Sequence, residues 1–261
     1  KMTKQVLRIL YIIRMATIMF DLSGKKALIT GSTQGIGKAI AICFASYGAE
    51  VIIHGSERLE KCQKVADEIG KNATIAVADL KDEDCAEELY KYTGNVDILV
   101  LNASMQIRKP WNQIIIDDFQ KQININYRSS LLLIQKYVPY MQMQKWGRIL
   151  TIGSVQQYKP HRDMLVYAGS KEAQFSLVIN LAKQLACDGI TVNNLAPGVI
   201  ITPRNDTALS DEAYAKQVLA GIPLGFAGEA KDCTGAALLL CSEAGRYITG
   251  TDLIVDGGMH L

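Results

Sequence analysis

The sequence predicts an α/β fold, a doubly wound parallel sheet of about seven strands with helices on both faces. Three observations carry that expectation. From Lys26 onward, short β-branched runs alternate with longer helical patterns, the repeat of strand and crossover helix that builds a parallel sheet. The strand runs are almost continuously apolar, as strands covered on both faces are. A glycine-rich turn follows the first strand directly and opens the first helix, as in a βαβ unit.

Taken in order, strands are expected at Ala27–Thr30, Glu50–His54, Thr74–Ala78, Asp97–Leu101, Arg148–Gly153, Thr191–Ala196 and Leu253–Val255. Helices are expected near Gly37–Tyr47, Leu59–Ile69, Glu83–Tyr92, Asp117–Gln144, Met164–Ala186 and Lys231–Cys241. Pro139 falls inside the fourth helix and predicts a kink or an early end, since proline removes a backbone donor and clashes with the preceding turn. The stretch 197–225 holds three of the six prolines and little periodicity. It reads as a long excursion, of the sort that often forms a lid.

No repeat or linker divides residues 21–261, so one domain is expected after an N-terminal extension, 1–20. Lys4, Arg8 and Arg14 interrupt the apolar run in that extension. It is too broken for a transmembrane helix and lacks the form of a signal peptide, so it reads as amphipathic. Lys1 before Met2 suggests an added or processed end, with Met15 or Met19 as other starts.

Of 261 residues, 49% are apolar and 21% charged, with a formal net charge of +2. No basic field is evident, which argues against nucleic acid as a partner. Six scattered cysteines without Cys-x-x-Cys and three distant histidines show neither metal spacing nor a disulfide framework. Free thiols in a reducing cytoplasm, and no metal, are expected.

The turn Gly31-Ser32-Thr33-Gln34-Gly35-Ile36-Gly37 suits a nucleotide diphosphate. A helix N-terminus offers unpaired N–H groups and a partial positive charge, and glycines allow close backbone approach. An acid ending the second strand would favour NAD(H) by accepting from the adenosine ribose. Here the stretch reads His54-Gly55-Ser56-Glu57-Arg58. Without an acid at 54, 55 or 56, and with Ser56 and Arg58 able to meet a 2′-phosphate, NADP(H) is favoured, with Glu57 keeping NAD(H) as the alternative.

Tyr167 is the one tyrosine of eleven with a lysine four residues on, Lys171. On a helix the pair shares a face, so the ammonium can favour the phenolate and make tyrosine a usable acid or base.

Set together, these pieces resemble the short-chain dehydrogenase/reductase family, from about Phe20 to Leu261. The resemblance implies a Rossmann-type fold, with Asp79-Leu80 touching the adenine and Asn102-Ala103 beside the cofactor. Asn193, Pro197-Gly198 and Thr202 resemble the segment bounding the nicotinamide, and Val255-Asp256-Gly257-Gly258 the end of the last strand. Asn126, Ser154, Tyr167 and Lys171 are similar in order and spacing to the family's catalytic tetrad. The resemblance implies that Tyr167 transfers the proton while hydride moves to or from the nicotinamide. Lys171 lowers the tyrosine pKa and holds the ribose, Ser154 hydrogen-bonds the substrate oxygen, and Asn126 holds a water leading from Lys171 to solvent. Two departures stand out. Ser104 replaces a usual glycine and should alter the fit, whereas Gly153 replaces a usual serine and should be harmless.

Gln106-Ile107-Arg108-Lys109-Pro110, with Phe20-Asp21-Leu22-Ser23-Gly24-Lys25, is similar to gluconate 5-dehydrogenases. Arg108 then becomes the group for a substrate carboxylate, whose two oxygens match a guanidinium fork. Leu150–Ser154 and Ile248–Gly250 are similar also to 3-oxoacyl-carrier-protein reductases, but Leu132 stands where those carry an arginine for the acidic carrier. A non-catalytic NADP(H) sensor or scaffold is the reading of another class; retention of Tyr167 and Lys171 argues against it. Apolar residues on more than one face of two helices (Leu131, Leu132, Leu133; Phe175, Leu177, Val178) predict a homo-oligomer, a tetramer or dimer.

Overall fold

The computed structural model describes residues 19–205 and 210–261. The amphipathic extension is expected at positions that, save for its last two residues, lie outside the described ones.

All seven expected strands form: β1 (Lys26–Ile29), β2 (Glu50–Gly55), β3 (Ala73–Val77), β4 (Ile98–Leu101), β5 (Gly147–Ile152), β6 (Ile190–Pro197) and, last in the chain, β9 (Asp252–Val255). They make one sheet in the order β3-β2-β1-β4-β5-β6-β9, parallel throughout. The helices are α1 (Gly35–Ser46), α2 (Leu59–Ile69), α3 (Cys85–Thr93), α4 (Ile116–Ile123), α5 (Ser129–Gln144), α6 (Leu165–Leu185), α7 (Glu212–Ala220) and α8 (Thr234–Cys241).

Period-two side-chain placement sorts each strand between two cores. Ala27 and Ile29 join Phe44 of α1, Val65 of α2 and Leu238 of α8 on one face. Leu28 joins Leu89 of α3, Tyr137 of α5 and Val178 of α6 on the other. The strand order reverses at β1, whose neighbours are β2 and β4. Loops leaving β1 and β4 therefore diverge and open a crevice at the strand ends.

Three details differ from expectation. The helix at 117–144 is α4 and α5 joined by a π-helical turn, Asn124–Arg128, and it runs through Pro139 to Gln144 rather than ending early. One missing hydrogen bond is outweighed by the buried Leu133, Ile134, Tyr137, Val138 and Met141. The excursion contains a helix, α7, capped by Asp211, whose carboxylate accepts from Ala213 and Tyr214 N–H at 3.0 Å each. Its two ends meet in a short parallel ladder, β7 (Ile200–Ile201) with β8 (Gly228–Glu229).

Candidate active site

A cleft of about 480 Å³ opens at the crevice between the β1 and β4 loops. One end is made by the glycine turn. Gly31 (φ +63) and Gly35 (φ +57) hold left-handed conformations that side chains rarely adopt. A Cβ at Gly31 would also come within 2.9 Å of Ala103 Cα. No side chain caps α1 and no acid sits in its first turn, so the positive end of its dipole faces the cleft unneutralised. This cradle fits a dinucleotide's diphosphate.

Of the residues expected at the cofactor, Gly31, Thr33, Gln34, Gly35, Ile36, Gly55, Ser56, Asp79, Leu80, Asn102, Ala103, Tyr167, Pro197, Gly198 and Thr202 line the cleft. Ser32, Gly37, Arg58 and Lys171 do not. Ser32 is fully buried, donating to Ile29 O at 2.7 Å and accepting from His54 N–H at 3.0 Å. Gly37 lies behind the turn, where a Cβ would overlap the Asn102 amide and Gly31 O. Arg58 is exposed at the N-cap of α2.

His54 gave no functional signal in the sequence, yet it orders this end. Its Nδ1 accepts from Gly31 N–H at 3.0 Å. The other nitrogen, Nε2, lies 3.0 Å from Ala78 O and donates to it, so the partners define one neutral tautomer. Burial pulls its pKa down to about 4. The end of β2 thus offers neither a carboxylate nor a cation.

At the other end stands the predicted proton-transfer group. Ser154, just past β5, accepts from Gln156 N–H at 3.2 Å, which leaves its own proton to donate into the cleft. Tyr167, near the start of α6, lines the cleft while 5% exposed. Lys171 Nζ lies 5.9 Å from the Tyr167 ring centroid. It is turned inward, donating to Ile152 O at 2.7 Å and to Gln174 Oε1 at 3.1 Å. Burial lowers its pKa to about 7, and the charge of Arg204 adds to that effect.

Asn126, in the π-turn, is fully buried. Its Oδ1 accepts from Met105 N–H at 2.7 Å, and its Nδ2 donates to Met105 O and Ser170 Oγ, each at 2.9 Å. The side chain is thus occupied in joining the β4 loop to α6.

Asn126 is also the last rung of a ladder. Asp118, Gln122 and Asn126 are spaced by four along the helical run and bind alternate loop residues. Asp118 Oδ2 accepts from Lys109 Nζ at 2.5 Å, Gln122 Oε1 from Ile107 N–H at 3.0 Å, and Asn126 holds Met105. With Ile107 and Lys109 held away, Ser104, Met105, Gln106 and Arg108 line the cleft. The opposite wall supplies Arg204, whose Nη2 donates to Ser104 O at 2.7 Å. Sequence reading missed Arg204, because nothing local links 204 to 104.

Residues 31–260 match a family model described as enoyl-(acyl carrier protein) reductase. The chain belongs to the short-chain dehydrogenase/reductase family. It is 36% identical to a glucose 1-dehydrogenase of Gluconobacter oxydans over 92% of this chain and 93% of that one. Among solved structures, a 3-oxoacyl (acyl-carrier-protein) reductase of Agrobacterium tumefaciens with NADP bound matches at TM-score 0.89 and 35% identity, covering 93% of this chain and 96% of the other. A gluconate 5-dehydrogenase of Burkholderia cenocepacia, in complex with NADP and tartrate, matches at TM-score 0.87 and 32% identity, covering 94% and 98%. This short-chain dehydrogenase/reductase is an oxidoreductase acting on CH–OH groups. Among the described residues, no helix is long and apolar enough to cross a membrane.

Proposed function

We propose that the protein interconverts a secondary alcohol and a ketone of a sugar acid or polyol, of the gluconate/5-ketogluconate type, with NADP(H). The bound nicotinamide would supply or accept the hydride. Gly31, Gly35 and the N-terminus of α1 hold the diphosphate; Asp79 and Leu80 flank the adenine. Ser154 donates to the substrate oxygen and Tyr167 passes the proton. Lys171 stands beside the Tyr167 ring, and Asn126 fixes the loop that presents Arg108.

The observation that carries the substrate reading is Arg108 in the cleft wall, presented there by the Asp118-Gln122-Asn126 ladder. A guanidinium matches a carboxylate in two hydrogen bonds. The tartrate in the Burkholderia relative is likewise a polyhydroxy acid. Absence of a carboxylate from the ribose end, where His54 is neutral and internally bonded, supports NADP(H).

The test is absorbance of the reduced nicotinamide during incubation with gluconate, 5-ketogluconate, glucose and an acetoacetyl thioester, each with NADP(H) and NAD(H). Turnover of the sugar acid is expected, with Arg108→Ala raising its KM about tenfold or more and leaving a neutral polyol unaffected. Preference for the thioester would support a 3-oxoacyl-carrier-protein reductase, the reading favoured by the Agrobacterium likeness. Tyr167→Phe should lower kcat by about a hundredfold or more; full turnover in that variant would end the mechanism. Exposed Ile116, Phe119, Leu165 and Ile179 on α4 and α6 support the homo-oligomer, and a clean monomer in light scattering would refute it.

A further inference from the structure

The turn bearing Ser154 is braced from behind by side chains outside the cleft. Ser154 N–H donates to Gln157 Oε1 at 2.9 Å, and Gln157 Nε2 donates to Asp252 Oδ2 at 3.3 Å. Asp252 opens β9 and gathers two more donors: Tyr158 OH at 2.6 Å on the same oxygen, and Asn194 Nδ2 at 2.8 Å on Oδ1. Asn194, on β6, accepts in turn from Thr151 Oγ1 on β5 at 2.5 Å. One carboxylate therefore ties together β5, β6, β9 and the serine turn. Such hydrogen bonds to an ionised acceptor are stronger than neutral ones.

Gly153 makes room for this arrangement. A Cβ there would overlap both the Asn194 amide and the Gln157 carbonyl oxygen. The glycine that the sequence leaves as harmless thus bears on the brace: a side chain at 153 would have to push Asn194 or Gln157 aside. Asp252, Gln157 and Asn194 do not line the cleft, so none of them reaches a bound substrate. Gln157 reaches the backbone of the residue that does, and Asp252 and Asn194 hold Gln157.

We propose that Asp252 is a positioning residue for Ser154, acting through Gln157, with Gly153 and Asn194 as parts of the same brace. The proposal rests on Ser154 as the donor to the substrate oxygen. That role requires the hydroxyl to sit at hydrogen-bond distance from the position the oxyanion takes up, and a small displacement is expensive in rate.

The experiment compares wild type, Asp252→Ala, Asp252→Asn, Gln157→Leu, Ser154→Ala and Ser154→Ala/Asp252→Ala as full-length protein, with NADPH and the best carbonyl of the panel above. In Asp252→Ala, kcat should fall about tenfold or more while the nucleotide KM stays unchanged. Asp252→Asn, which keeps one acceptor oxygen, should recover part of that loss. The double variant should match Ser154→Ala, because a residue acting through Ser154 adds nothing once its hydroxyl is gone. Equal losses in the two backgrounds, or a nucleotide KM that rises in step with the fall in kcat, would overturn the proposal. Should Asp252→Ala fail to fold, Gln157→Leu breaks the link to the serine turn while leaving the Tyr158 and Asn194 bonds to Asp252, and an unchanged kcat there overturns it equally. Full kcat in Ser154→Ala would remove the reading of Ser154 and the proposal with it. Loss in Ser154→Ala beside an unaffected Asp252→Ala would remove the proposal alone.

Discussion

Lys171→Met should reverse part of the pH dependence of stability while abolishing turnover. Burial draws the Lys171 ammonium down from 10.5 to about 7, with the Arg204 charge as the lesser cause. Across that interval the unfolded chain binds more protons than the folded one, so this residue makes stability rise with pH from about 7 toward 10.5. At about 1.4 kcal/mol per pKa unit, the penalty on folding is about 4 kcal/mol at pH 7 and about 1 kcal/mol at pH 10. Methionine keeps much of the stem and cannot titrate. It leaves Ile152 O and Gln174 Oε1 without their donor, a loss of about 1–3 kcal/mol each that is the same at both pH values. The stability of wild type relative to Lys171→Met should therefore improve by about 3 kcal/mol between pH 7 and pH 10. Urea unfolding of both proteins at the two pH values, at one protein concentration, measures this. Parallel pH dependences would show that the ammonium bears no burial penalty, and the argument would fail.

Other outcomes follow from the cofactor end. Gly37→Ala must displace both the Asn102 amide and Gly31 O, so nucleotide affinity should fall about tenfold or more, read by fluorescence titration; an unchanged Kd would contradict the packing argument. His54→Leu leaves Gly31 N–H and Ala78 O unpaired and should cost about 2–4 kcal/mol of stability at pH 7. Because burial lowers the His54 pKa to about 4, wild type loses stability as pH falls from 6.5 through 4. The gap to His54→Leu should then narrow by up to about 3 kcal/mol, and a gap constant across that range in acid titrations of both proteins would refute it.

The sequence exposes what is local. Strands such as Ile98–Leu101 are unbroken apolar runs, and Gly31 to Gly37 sits where a strand becomes a helix, so both were readable from order and spacing alone. Ser154 and Tyr167 line the cleft for the same reason: each occupies a fixed station next to a strand or helix end. The spacing sets Lys171 on one helical face with Tyr167, but its inward turn depends on Ile152 O and Gln174, which spacing does not reveal. The presentation of Arg108 depends on Asp118, Gln122 and Asn126, whose side chains act on loop residues up to 21 positions away. Gly153 could not be judged without Asn194 and Gln157, the former brought near by a strand crossover. Helix α7 was missed despite Asp211, because nearby prolines and weak periodicity concealed a good N-cap.

The ladder of β7 and β8 has a consequence for how such a protein can diversify. It pins the stem of the excursion at Ile200–Ile201 and Gly228–Glu229, while Thr202, Pro203, Arg204 and Asn205, just inside the stem, form a wall of the cleft. The entropy of closing a loop grows only slowly with its length. The loop-closure cost of lengthening, shortening or exchanging what lies between the pinned ends is therefore small, with Thr202 beside Gly35 and Arg204 beside Ser104 as the positions that tie it to the site. Selectivity and chemistry are thereby separately heritable within one chain.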